Sequence, residues 1–226
     1  MNELKKNTVE AKNQLKDSRC VTFKELTENS GTRIMFVGNS ITKHGYKADI
    51  GWFYNFGMAA SCEENDYFHI CMSELKKKYQ NPAFCICQVS QWEANYKTGE
   101  EKYPLYQDAQ SFDADIIIMR AIENVPADGF DKDIFFEEYD KLLKFLNPSG
   151  KAKIIITTSF WIHPADDSVR LYAKEHNLPL CELGDLGEMD EMKAIGKFEH
   201  SGVANHPGDL GMKTIAERIL SKMEEI

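Results

Sequence analysis

Ile34-Met35-Phe36-Val37-Gly38-Asn39-Ser40-Ile41-Thr42 is a short apolar run that stops abruptly in small and polar residues. A run that is continuously apolar, not alternating, reads as a strand covered on both faces, as in a parallel sheet. The turn after it leaves a hydroxyl at the strand's carboxyl end. Four more runs have the same character: Phe84-Cys85-Ile86-Cys87, Ile116-Ile117-Ile118-Met119, Ile154-Ile155-Ile156-Thr157 and Leu178-Pro179-Leu180-Cys181. Between them apolar residues recur at helical spacing, as in Phe68, Cys71, Met72 and Leu75, and again in Phe135, Tyr139, Leu142, Leu143 and Leu146. Strand alternating with helix predicts an α/β fold, a three-layer α/β/α sandwich on a five-stranded parallel sheet, closed by a helix over 209–223. Sites in such sheets lie beyond the carboxyl ends of the strands.

The chain has 226 residues, enough for one substantial core, and no Pro/Gly/Ser-rich linker divides it. The segment before Arg33 is polar and weakly periodic, which predicts an N-terminal helical arm over 1–31 and one domain over 32–226. A net charge of −9 without a basic stripe argues against a nucleic-acid partner. The six cysteines have neither paired CxxC spacing nor a neighbouring histidine pattern, so they read as reduced core residues and no metal is expected. No stretch approaches the ~20 apolar residues of a membrane span. Residues 1–19 lack the apolar segment of a secretory signal, so a cytoplasmic protein is expected, although a secreted form with its signal removed would read the same.

Three segments can carry chemistry. Ser40 follows the first strand, where a hydroxyl can act as a nucleophile if a base and oxyanion donors are near; on its own it reads equally well as a helix-capping serine. His206, in Asn205-His206-Pro207-Gly208, precedes a proline and therefore lies outside a helix interior, free to reach the sheet edge; His163, also before a proline, is a rival base. Asn124, after the third strand, can offer an uncharged N–H to an oxyanion, or simply cap the turn. Arg120 and Glu123 beside it are candidate accessories or a structural ion pair.

In this order the segments resemble the SGNH (GDSL-like) hydrolase superfamily, over about residues 32 to 222, with a further likeness to its bacterial carbohydrate-esterase-like subgroup in the stretch from Gly51 to Ser61. The resemblance implies a flavodoxin-like sandwich and a serine esterase in which Ser40 is nucleophile and His206 general base, with the Ser40 and Gln91 backbone N–H groups and the Asn124 amide as oxyanion hole. It implies no cofactor. Four departures stand out: Asn39 replaces the usual Asp, Gln91 the glycine of the second block, Glu123-Asn124 the Gly-x-Asn-Asp block, and Val203 the Asp that orients the histidine. The expectation is therefore a Ser-His dyad oriented by the main-chain oxygen of Val203, with Glu199 and Asp209 as carboxylate alternatives. Trp52, Trp92 and Trp161 are candidates for the wall of a sugar site, or for core packing. A short-chain ester is the expected substrate, an O-acetylated saccharide for preference. The alternatives are a thioesterase or lysophospholipase, and a catalytically silent carbohydrate-binding module.

Overall fold

A computed structural model describes residues 20–226. Its sheet has six strands, β1 (Val21–Lys24), β2 (Arg33–Gly38), β3 (Ala83–Gln88), β4 (Ile116–Met119), β5 (Lys153–Thr157) and β6 (Leu180–Cys181), in the order β1-β3-β2-β4-β5-β6. The five predicted runs form the parallel part. The count of five is corrected by β1, which joins the edge antiparallel to β3 with Val21 opposite Cys87. Of its four residues, Val-Thr-Phe-Lys, only Val21 is buried, so no continuous apolar run announces them. Of the expected helical arm, residues 1–19 lie outside the described residues, and part of the remainder is this strand.

The helices are α1 (Tyr67–Lys78), α2 (Ser90–Ala94), α3 (Gln107–Phe112), α4 (Lys132–Leu146), α5 (Asp166–Glu175), α6 (Ser201–Ala204) and α7 (Asp209–Lys222). They cover both faces of the sheet, which is why its central strands are apolar throughout. In β2, Met35 and Val37 face the core shared with α3, α4 and α5, while Ile34 and Phe36 face the core shared with α1 and α7. Ile117 and Met119 of β4 divide from Ile116 and Ile118 in the same way.

The heads of α4 and α1 carry side-chain caps. Asp131 accepts from the N–H groups of Asp133 and Ile134 at the head of α4, and Asp66 accepts from His69 N–H at the head of α1. Asp66 also takes the N–H of Gly57 at 2.9 Å, which ties the aromatic segment 51–58 to the sheet edge where β2 ends. A side chain at 57 would meet the Ile41 carbonyl at 2.6 Å, so glycine is required there. No helix among the described residues is long and apolar enough to cross a membrane. Cys71, Cys85, Cys87 and Cys181 are buried and all six thiols are free.

Candidate active site

Strand β2 delivers Gly38, Asn39 and Ser40 to the carboxyl edge. A Cβ at Gly38 would lie 2.0 Å from Thr42 Oγ1 and 3.2 Å from the Arg120 carbonyl, so only glycine lets the chain turn there between β2 and β4. Ser40 is half-buried, and its main-chain carbonyl accepts from Met58 N–H at 2.9 Å. Its hydroxyl lies 2.8 Å from His206 Nε2 although 166 residues separate them. That is within the range a proton transfer needs.

His206 Nδ1 lies 2.7 Å from the carbonyl oxygen of Gly202. Donating there leaves Nε2 unprotonated and facing Ser40. The expected acceptor, the Val203 carbonyl, instead takes the His206 main-chain N–H at 3.0 Å. The short helix α6 explains the shift by one residue: a helical turn brings the carbonyl four positions back beside the side chain, and the one three positions back meets the backbone N–H. The carboxylate alternatives are elsewhere. Asp209 binds Ser61 N and Oγ at 2.7 and 2.6 Å, and Glu199 is exposed on the surface beside Phe198 and His200.

Trp161 stands edge-on to the His206 ring, centroids 5.1 Å apart. Burial lowers the His206 pKa to about 4, against the opposing pull of the Gly202 carbonyl. The unfolded chain binds this proton near 6.5 and the folded one only near 4, so this group destabilises the fold as pH falls between those values. A titration of the His206 imidazole followed by NMR is expected to show its midpoint well below pH 6; a midpoint at 6 or above would contradict a desolvated ring.

Asn39 is fully buried. Its amide nitrogen donates to Glu93 Oε1 at 2.9 Å and to Glu123 Oε2 at 2.5 Å. Glu123 also accepts from Arg120 Nη2 and from Phe160 N–H, the latter at 3.0 Å. Arg120, fully buried, reaches Asn39 Oδ1 at 3.3 Å and lies over the Tyr67 ring at 5.7 Å. Arg120 and Glu123 are thus a buried ion pair beneath the turn. Asn124 is exposed and donates its amide to the second oxygen of Glu93, Oε2, at 2.5 Å. Gln91 sits in the first turn of α2, where helices leave backbone N–H groups without an internal partner. Val89 N–H donates to the Gly38 carbonyl at 2.7 Å and so holds that turn against the end of β2.

Sequence reasoning missed Glu93, whose only signal was a charged residue inside an aromatic helix start, and the Gly202 carbonyl, which has none. For two of the three tryptophans the structure selects core packing over the sugar wall. Trp92 is fully buried against Phe135 and Tyr139, and Trp52, also fully buried, packs on Tyr54 and Phe56 and donates to the His44 carbonyl at 2.9 Å. Of the three, Trp161 borders the site. His163 binds main-chain groups with both ring nitrogens, Val125 O and Ala165 N, and is not turned to Ser40. Among the described residues no group of three or more His, Cys, Asp or Glu side chains is arranged to hold a metal.

No family profile matches the sequence, and no curated protein does. Solved structures do. A lipolytic protein of the G-D-S-L family from Veillonella parvula superposes with a TM-score of 0.53 at 16% identity, over 87% of this chain and 100% of its own. The chain has the SGNH-hydrolase fold. Two further structures with this fold are of carbohydrate-active esterases. One is a two-domain esterase active on acetylated mannans, with a TM-score of 0.56 at 17% identity over 95% of this chain and 52% of its own. The other is a family two carbohydrate esterase from Clostridium thermocellum in complex with cellohexaose, with a TM-score of 0.58 at 13% identity over 88% of this chain and 66% of its own. Within the SGNH fold, the Ser40-His206 pair occupies the carboxyl edge of the sheet, where the fold class places sites.

Proposed function

We propose that the protein is a serine esterase that hydrolyses a short-chain carboxylic ester, an O-acetylated saccharide, through an acyl-enzyme. The observation that carries this is the 2.8 Å approach of Ser40 Oγ to a neutral, oriented His206 Nε2. The similar folds of an esterase active on acetylated mannans and of a carbohydrate esterase bound to cellohexaose, and the Trp161 ring beside the histidine, support the saccharide half.

Ser40 Oγ bonds to the ester carbonyl carbon while its proton passes to His206 Nε2 and the carbonyl π pair becomes an oxyanion. The Ser40 and Gln91 backbone N–H groups and the Asn124 amide receive that charge. Collapse re-forms the carbonyl, breaks the bond to the leaving oxygen and takes the proton back from Nε2. Water, deprotonated by the same nitrogen, then releases acetate and restores Ser40. The Gly202 carbonyl keeps the imidazole in its working tautomer but is a neutral dipole, so it stabilises imidazolium less than a carboxylate does, and turnover is expected to be modest.

The test is fluorophosphonate labelling mapped by peptide mass spectrometry, beside acetate release from acetylated mannan and cello-oligosaccharides and from acyl-thioester and lysophospholipid controls. Labelling at Ser40 with preferential acetate release is expected. Saccharide binding without labelling or hydrolysis would favour the silent module, and faster turnover of long acyl chains would favour the thioesterase or lysophospholipase reading.

A further inference from the structure

The second-block helix carries a carboxylate that the reaction above does not use. Glu93 is fully buried, and each of its oxygens accepts an amide N–H, Oε1 from Asn39 at 2.9 Å and Oε2 from Asn124 at 2.5 Å. We propose that Glu93 is a positioning residue, its ionised carboxylate aiming the Asn124 amide at the oxyanion site and releasing it when the carboxyl takes up a proton. This rests on the esterase reading, because it gives Asn124 the oxyanion role.

The hydrogen-bond pattern makes protonation disruptive. A carboxylate only accepts, whereas a carboxylic acid must also donate one O–H. Each oxygen of Glu93 already accepts one amide N–H, so a proton on either oxygen weakens the bond that oxygen accepts and adds an O–H that competes for the same space. Asn39 is the better held: it is fully buried, binds Glu123 Oε2 at 2.5 Å and accepts from Arg120 Nη1 at 3.3 Å. Asn124 is exposed and is tethered at its amide nitrogen by Glu93. The released partner is therefore Asn124.

The charges facing Glu93 set where this happens. Glu123 and Arg120 come from the turn after β4, and Tyr106, whose hydroxyl accepts from Trp92 N–H at 3.2 Å, comes from the segment Tyr96–Tyr106. Burial, then the Glu123 charge, raise the Glu93 pKa to about 7, against the two amide hydrogen bonds and the Arg120 charge, which lower it. A raised carboxyl pKa means that the ionised, aligned state exists above the midpoint and is lost as pH falls through it, whereas burial lowers the pH at which His206 takes its own proton. Two falls are then separable.

The test combines a pH–kcat profile for acetyl ester hydrolysis with NMR titration of the Glu93 carboxyl carbon and the Asn39 and Asn124 side-chain amides in the wild-type chain. Expected are a common NMR midpoint near neutrality, the larger amide shift at Asn124, and a fall in kcat of about 10-fold or more with KM nearly constant across that midpoint, as for partial loss of an oxyanion donor. Glu93→Gln should lower kcat and abolish the neutral fall while keeping the one near pH 4, and Glu123→Gln should move the neutral midpoint to lower pH. A purely structural role would change Tm in Glu93→Gln and leave the neutral fall in place, which overturns the proposal, as does a Glu93 carboxyl that titrates near 4.5 or without Asn124. Wild-type protein that neither turns over nor labels at any pH, yet shows the shared amide titration, would sink the esterase reading and leave the Glu93 tether established.

Discussion

Ser40→Ala is expected to lower kcat for ester hydrolysis by about 10⁴-fold or more and to abolish fluorophosphonate labelling, the scale on which removal of a serine nucleophile acts. The fold should barely notice. The hydroxyl is half-buried at the cleft and its side-chain partner is His206 Nε2. The hydrogen bond lost is worth about 1 kcal/mol net, which for a chain of this size is about 2–4 °C in Tm. Because the low pKa of His206 comes first from burial, its titration should stay well below pH 6 in the variant. Retained hydrolysis with unchanged Tm would mean that the nucleophile lies elsewhere, whereas loss of activity together with a Tm drop of ten degrees or more would mean that the turn had collapsed and the assignment needed a gentler substitution such as Ser40→Cys.

How far the sequence could be read depended on what each residue touches. Strands β2 and β4 were legible because helices cover both of their faces, so Ile34 to Val37 and Ile116 to Met119 had to be apolar. Strand β1 was not, because it is a half-open edge. Ser40 and His206 were legible as turn and loop residues beside a glycine and a proline. The acceptor for His206 Nδ1 was off by one residue because residues 201–204 form a helical turn that no propensity in Ser-Gly-Val-Ala announces. For Trp52 and Trp92 the choice between sugar wall and core stayed open in the sequence, since an indole suits both alike; burial of both decides for the core.

The departures from the superfamily pattern turn out to be coupled. Asn39 stands where an Asp is usual, and its amide nitrogen lies between two buried carboxylates, Glu93 and Glu123. An Asp at 39 would add a third buried negative charge facing a single guanidinium, that of Arg120, and would remove the donor both glutamates use. The Glu123-Asn124 block follows the same logic, one residue pairing with Arg120 and the next with Glu93. Read one at a time these residues are weakened motifs; together they are a polar layer that replaces glycine-rich backbone approach with side-chain hydrogen bonds. That exchange is visible only once residues 31 to 84 positions apart are brought into contact.

Asn124→Ala is expected to lower kcat by about 100- to 1000-fold with KM nearly unchanged, the cost of one oxyanion donor that acts mainly in the transition state. Two effects combine in this variant. The oxyanion loses a donor, and Glu93 Oε2 loses the amide that holds it at 2.5 Å. Since that hydrogen bond lowers the Glu93 pKa, its loss should move the Glu93 midpoint to higher pH and cost about 1–3 kcal/mol of stability, as for a buried acceptor left without its partner. The double variant with Glu93→Gln separates them. If Glu93 acts through Asn124, the two losses in kcat should fall well short of multiplying, because the second substitution removes a tether to a group already gone. Fully multiplicative losses would show that Glu93 serves the reaction by another route. An unchanged kcat in Asn124→Ala would confine Asn124 to the turn and leave the backbone N–H groups of Ser40 and Gln91 as the whole oxyanion hole.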